Sequence, residues 1–253
     1  MVKGLELFRD HFSRFNDCYI LIGGSAASLV MEESGLAFRS TKDLDIVLMA
    51  ESLTPEFLAA IKGFVESGRY ERRQRSDGRE QFFRFQSPAT PGYPEMLELF
   101  SRTNDAIEPG LGSGVLRIAL GEAVASLSTI LLDSGYYEFI RTGKILRDGI
   151  STIGPDRLIP LKARAWLDLR ERKGRGEQVD ERDIRKHRND IARLARVLDP
   201  SIRIELPEII RADLRMAIAE IDAEGDLDPK ALGIRNTTRR ELLDIVVAVF
   251  ETS

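Results

Sequence analysis

Apolar residues at Leu5, Phe8, Phe12 and Phe15 follow the spacing of one helix face, which predicts a helix over residues 4–16. Tyr19–Ile22 is an unbroken apolar run of strand length, and the Gly-Gly-Ser that follows leads into a stretch rich in Ala, Leu and Met. This predicts a short buried strand, a glycine turn and a helix over residues 25–34, opened by Ser25. Residues 43–49 alternate at their start, with Asp43 and Asp45 on one side and Leu44, Ile46 and Leu48 on the other, the pattern of a second strand. Thr54-Pro55 has the form of an N-cap followed by proline and predicts a helix to about residue 66. Residues 69–74 and 80–85 read as strands of a hairpin around Ser76-Asp77-Gly78, and Met96–Phe100 as a further strand.

Beyond the glycine-rich stretch Gly110-Leu-Gly-Ser-Gly114 the period changes from two to nearly four. Short helical patterns fill residues 123–141, and longer ones cover 158–172, 180–198, 207–220 and 238–252. The segment Lys173-Gly-Arg-Gly-Glu reads as an exposed loop between two of them. The predicted fold class is α+β: a mixed β-sheet with helices packed on it, then a mainly α-helical C-terminal domain. The predicted domains are residues 1–120 and 121–253, with the boundary between about 120 and 155.

At 253 residues, 43% apolar and 31% charged, the composition is that of a globular protein. No apolar run approaches the roughly 20 residues that span a bilayer, and the N-terminus mixes acids with its apolar residues, so neither a membrane span nor a signal peptide is expected. The single cysteine, Cys18, excludes an internal disulfide and suits a reducing cytoplasm; it opens an apolar strand and reads as a buried thiol. Two histidines, His11 and His187, with one cysteine cannot form a usual zinc site. The net charge of −4 opposes nucleic-acid binding by the whole surface, but it is unevenly spread. Residues 162–193 hold eleven Lys/Arg against seven Asp/Glu, and residues 201–253 hold seven against eleven. The first segment is either a local site for triphosphate or RNA, or a set of solvated helix faces laced with ion pairs.

Asp43 and Asp45 supply the first candidate chemistry. Two carboxylates on one strand face repel unless a cation sits between them, and hard oxygen ligands suit Mg²⁺ bridged to phosphates. Gly23 and Gly24 allow a sharp turn and close approach of the backbone to a ligand, and the helix N-terminus at Ser25 attracts anions. Glu98, between Leu97 and Leu99, is a third acid, turned away from the core; Glu95 is its nearest substitute. Arg39 and Thr41 precede the acidic strand, as a phosphate contact and a turn-holding hydroxyl, or as a partner of Glu32 or Glu33 and an ordinary turn residue.

Gly-Gly-Ser, the run Arg39-Ser-Thr-Lys-Asp-Leu-Asp45 and a later lone strand acid resemble the nucleotidyltransferase superfamily that includes DNA polymerase β. Within it the chain resembles most the abortive-infection nucleotidyltransferase toxins (AbiEii-like), because Leu158-Ile-Pro-Leu-Lys-Ala-Arg-Ala-Trp-Leu-Asp-Leu and the following Asp183-Ile-Arg-Lys-His-Arg-Asn-Asp190-Ile are similar to that family's C-terminal half. The resemblance spans residues 18–198 and implies that the predicted sheet is a nucleotidyltransferase core. It implies catalytic and metal-binding roles for Asp43, Asp45 and Glu98, with two Mg²⁺ ions, and NTP contacts from Gly23, Gly24, Ser25, Arg39, Thr41 and Lys162. Lys162 would neutralise the triphosphate; read from its place at the edge of an apolar stripe alone, it only snorkels. The implied reaction moves an NMP from an NTP to a hydroxyl of tRNA, protein or a small molecule, in a toxin or phage-defence role with an antitoxin partner and no membrane.

Two rival readings remain open on the sequence. One is a catalytically silent nucleotide-binding or partner-binding module with the same fold. The other is a glycosyltransferase, which also uses Asp-x-Asp but needs a larger sugar-nucleotide domain. His187 falls on the apolar stripe of its helix and reads as a core-edge residue. Asp183, Lys186 and Asp190 read as an ion-pair ladder, with Asp190 also able to buttress Lys162. Trp166, Tyr136 and Tyr137 read as core aromatics rather than base-stacking ones.

Overall fold

The structure, a computed structural model, describes residues 2–71, 82–101, 130 and 133–251. Tyr19–Ile22 forms β1, wholly buried. It pairs antiparallel with β2 (Asp43–Leu48), which pairs parallel with β4 (Met96–Phe100). β3 (Phe82–Gln86) closes that edge, antiparallel to β4. On the other side of β1 lies a hairpin of β5 (Lys144–Arg147) and β6 (Ile150–Ile153), giving a mixed six-stranded sheet in the order β3-β4-β2-β1-β6-β5. The chain is thus α+β, with the mixed sheet and flanking helices that the patterning predicts.

One sheet face is apolar because period-two alternation sends Leu44, Ile46, Leu48, Leu97 and Leu99 to it. Ile46, Leu48, Leu97 and Leu99 meet Phe8 and Phe12 of α1 (Leu5–Phe12) and Phe57, Ile61 and Phe64 of α3 (Pro55–Gly68) around a small apolar void. Tyr19 joins this aromatic core, edge-on to Phe8 and stacked with Phe57. Cys18 is buried beside it and donates to the carbonyl of Ser52, and burial pushes its thiol up. α3 starts as predicted: Thr54 Oγ1 accepts from the N–H of Phe57 and Pro55 fills the first helical position.

The chain divides into two compact units: one gathers residues 1–120 and 140–153, the other 121–139 and 154–253. In the second, α5 (Pro155–Gly174) packs on α6 (Glu181–Ala195) and α7 (Glu208–Glu224), and α8 (Arg239–Phe250) packs on both of these. α4 (Ser134–Thr142) contributes Tyr136, Tyr137 and Phe139, all buried. Trp166 is buried too, as predicted for core aromatics, with Arg170 over its ring. Among the described residues, no helix is long and apolar enough to cross a membrane.

Several expectations need correction. α2 spans Gly23–Glu33, so the helix opens at Gly23, two residues before Ser25. Residue 69 ends α3 in a left-handed conformation, and only an isolated bridge from Glu71 to Gln86 represents the first predicted hairpin strand. The rest of that strand, the Ser76-Asp77-Gly78 turn, the Gly110–Gly114 stretch and residues 123–129, 131 and 132 lie outside the described residues. The hairpin of β5 and β6 was not predicted. Its two-residue turn, Asp148-Gly149, has positive φ at both positions (45° and 76°), the conformation that joins tightly twisted antiparallel strands. His187 of α6 is half-buried, the core-edge position expected of it, and Arg188 and Asp190 are the helix's buried charged residues.

Candidate active site

Strand register brings the acids together. Asp45 on β2 stands opposite Glu98 on β4 in a parallel pair, so both side chains leave the same face, and Asp43 lies two residues earlier on that face. On the other side of Glu98, Arg84 of β3 is its antiparallel partner. Three strands therefore carry a row of Arg84, Glu98 and Asp45. Arg84 donates from Nε to Oε1 of Glu98 at 2.7 Å, and its Nη2 makes an ion-pair contact with the same oxygen at 2.6 Å. Glu98 is only 6% exposed. Its burial and the charge of Asp45 push its carboxyl well above the usual range, reinforced by a hydrogen bond to Asp45, while Arg84 pulls the other way. Glu95, the substitute acid, is half-buried, and Lys42 and Lys3 hold its carboxyl below the usual range.

The glycine turn meets this row. Gly23 has φ of 68°, and a Cβ there would overlap the carboxylate of Asp45. A Cβ on Gly24 would lie 2.9 Å from Thr41 Oγ1 and 3.0 Å from Nη2 of Arg39. Missing side chains at 23 and 24 thus allow the start of α2 to stand against Asp45, Thr41 and Arg39. Ser25 is fully buried and donates its hydroxyl to the carbonyl of Asp43 at 2.5 Å. It ties the first turn of α2 to β2 instead of capping the helix. The amides of that turn and their share of the helix dipole lie at the acid end of the strand, the setting in which a helix start attracts anions. Arg39 also lies over the ring of Phe38.

Mg²⁺ or a similar ion is what the family resemblance implies here. Among the described residues, no three Asp, Glu, His or Cys side chains converge as a ready-made metal cage. Mg²⁺ needs no such cage: it binds through one or two carboxylates together with substrate phosphates and water. Asp45 and Glu98 supply that pair, all-oxygen donors whose mutual repulsion a divalent ion would relieve, and they fit it.

In the second unit, Lys162 of α5 is 5% exposed and its Nζ lies 3.0 Å from Oδ2 of Asp190, itself fully buried. Arg193 approaches the other oxygen of Asp190 at 3.5 Å. The lysine does not snorkel; it is a buried ammonium with a fixed partner. Asp168, on the same helix, is buried with Oδ2 lacking a hydrogen-bond partner. The basic run around Lys162 is matched largely within the same unit: Arg164 with Asp213, Arg170 with Glu220 and Glu224, and Arg188 with Glu224 and Asp226. The basic segment and the acidic tail therefore pair with each other across helices, beyond the i,i+4 ladders expected.

The residue that sequence reasoning missed is Arg84. Phe83-Arg84-Phe85 alternates and sends the arginine to the acid face, but its partner is fixed only by the register of β3 on β4.

No family model matches the chain, and no curated protein matches it. Among solved structures, an antigenic nucleotidyltransferase-like protein from Paracoccidioides brasiliensis is similar at 15% identity and a TM-score of 0.46, over 99% of each chain. At that score the likeness by itself decides neither fold nor activity.

Proposed function

We propose that the protein is a nucleotidyltransferase that moves an NMP from an NTP to a hydroxyl acceptor. The observation that carries this reading is the meeting of Gly23 and Gly24 with the acid face: an anion-binding helix start directly beside Asp45, whose neighbour in register is Glu98. A bound Mg²⁺ would supply charge neutralisation at the reacting phosphate and lower the barrier to displacement. Asp45 and Glu98 would hold it, with Asp43 on the same face toward its outer side. The amides of α2 and the Arg39 guanidinium would bind phosphate oxygens, and Thr41 would keep Arg39 and the turn in place. Glu98 would also accept a proton from the acceptor hydroxyl. Lys162 is proposed as a second nucleotide-binding group; its burial with Asp190 supports a positioned ammonium.

The finer proposal is an AbiEii-like toxin or defence component, acting on tRNA, protein or a small molecule and checked by an antitoxin. It rests on the sequence resemblance alone. A catalytically silent module is the second reading, favoured by one observation: Glu98 is already held by Arg84.

The test is incubation of the purified chain with each labelled NTP, Mg²⁺ and total RNA or lysate. Label transfer with pyrophosphate release, abolished in Asp45→Asn, is the expected result. Saturable NTP binding without pyrophosphate release would favour a silent nucleotide-binding module, and absence of NTP binding would reject the transferase and leave only a partner-binding module.

A further inference from the structure

Among the described residues, Arg84 is the cation whose contact with the acid row is fixed by strand pairing. β3 and β4 set it opposite Glu98; its Nε donates to Oε1, and its Nη2 pairs with the same oxygen. The pair is largely shielded, with side-chain exposures of 16% and 8%. Glu98 is thus flanked by a guanidinium on one strand and by the Asp45 carboxylate on the other. An anion pair with a positive charge at one end is electrostatically half-satisfied, and a divalent ion arriving between the carboxylates meets that charge as a competitor.

We propose that Arg84 is the resident counter-cation of the acid row: it holds Glu98 while no divalent ion is bound and yields it when one binds. The proposal rests on the metal-site reading above. In this role Arg84 is a positioning residue that acts through Glu98. It fixes Glu98 in the free protein, and it sets how tightly an ion binds. A purely structural arginine would instead keep its bonds to Glu98 in the presence of metal, and its removal would lower metal affinity by disordering the acid.

The experiment is Mn²⁺ binding, followed by electron paramagnetic resonance, to the full chain and to Arg84→Gln, Arg84→Lys, Glu98→Gln and the Arg84→Gln/Glu98→Gln double variant, each checked for folding by circular dichroism. Loss of the competing charge should make Arg84→Gln bind Mn²⁺ about tenfold more tightly. Arg84→Lys keeps the charge and should stay near wild type. Glu98→Gln should weaken binding, and in that background Arg84→Gln should have little further effect, the sign of a coupled pair. On the wild type, which needs no variant to fold, the Arg84 Nε–H resonance should lose protection from exchange as Mg²⁺ is added. Unchanged or weaker Mn²⁺ binding by folded Arg84→Gln, or an Nε–H that stays protected at saturating Mg²⁺, overturns the proposal while leaving the metal site standing. Failure of the wild type and of every variant to bind Mn²⁺ overturns the metal-site reading itself.

Discussion

At Gly23 two costs coincide: a left-handed backbone and the carboxylate of Asp45 where a methyl would go. Gly35 has the same φ of 68° but open space around its Cα, so the pair separates strain from collision. Gly35→Ala should cost only the backbone term, about 1–3 kcal/mol. Gly23→Ala should cost more and should also displace Asp45, lowering Mn²⁺ affinity where Gly35→Ala does not. Thermal melts and metal titrations of the two variants check this, and equal behaviour would mean that the turn does not pack on the acid. Lys162 and Asp190 give the second contrast. Removing the carboxylate leaves a buried ammonium unpaired, so Asp190→Leu should destabilise by about 3–5 kcal/mol, whereas the double variant Lys162→Met/Asp190→Leu should recover much of that loss. Denaturant titration measures both, and a double variant no better than the single would place the cost elsewhere. At this scale much was legible: the alternation around Asp43, Asp45 and Glu98 already assigned their face. What stayed hidden was state. Nothing local to Lys162 indicates burial, and nothing local to Glu98 indicates that a guanidinium occupies it.

Elements were legible where one period ran uninterrupted and blurred where a partner decided the matter. α3 could be read from Thr54, Pro55 and its apolar spacing because capping is local chemistry. Ser25 looked like a cap by the same logic. Its hydroxyl instead goes to the carbonyl of Asp43, a bond that exists only once β2 lies alongside. The hairpin of β5 and β6 carried a usable signal in Asp148-Gly149, but its four-residue strands, one of them with polar ends, gave little alternation to support it. The row of Arg84, Glu98 and Asp45 needed two strand registers at once, and register is a tertiary property. Among the helices, α8 offers the sharpest local test. Thr238 accepts from the N–H of Glu241 while the Glu241 carboxylate accepts from the N–H of Thr238, a reciprocal cap. Thr238→Ala should lower stability by about 1 kcal/mol, and Glu241→Ala should fall short of adding a further full increment because the two bonds form together. A melting temperature unchanged in Thr238→Ala would mean that this helix end frays in solution.

For the whole molecule, buried tyrosines set the behaviour at high pH. Tyr19 and Tyr70 in the first unit and Tyr136 in the second are all buried, and burial raises each of them above the usual value near 10. Tyr19 is pushed up to about 12. Tyr70 donates to the carbonyl of Pro94, and the charge of Asp213 beside the Tyr136 hydroxyl adds to the effect of burial there. The sign follows from linkage: an unfolded chain releases these protons near pH 10, whereas the folded chain retains them to higher pH. Their contribution to stability is therefore complete below about pH 10 and is lost as pH rises toward and beyond 12, at ~1.4 kcal/mol for every tenfold by which folding tightens one group's hold on its proton. Stability measured in urea should hold nearly level up to about pH 9 as far as these groups are concerned and then fall steeply. Tyrosinate absorbance from the buried rings should appear together with the loss of circular dichroism, because none of the three can ionise in place at modest cost. Smooth titration near pH 10 with the fold intact would show that solvent reaches these rings, and would contradict the packing of Tyr19 against Phe8 and Phe57 on which the sheet's apolar face depends.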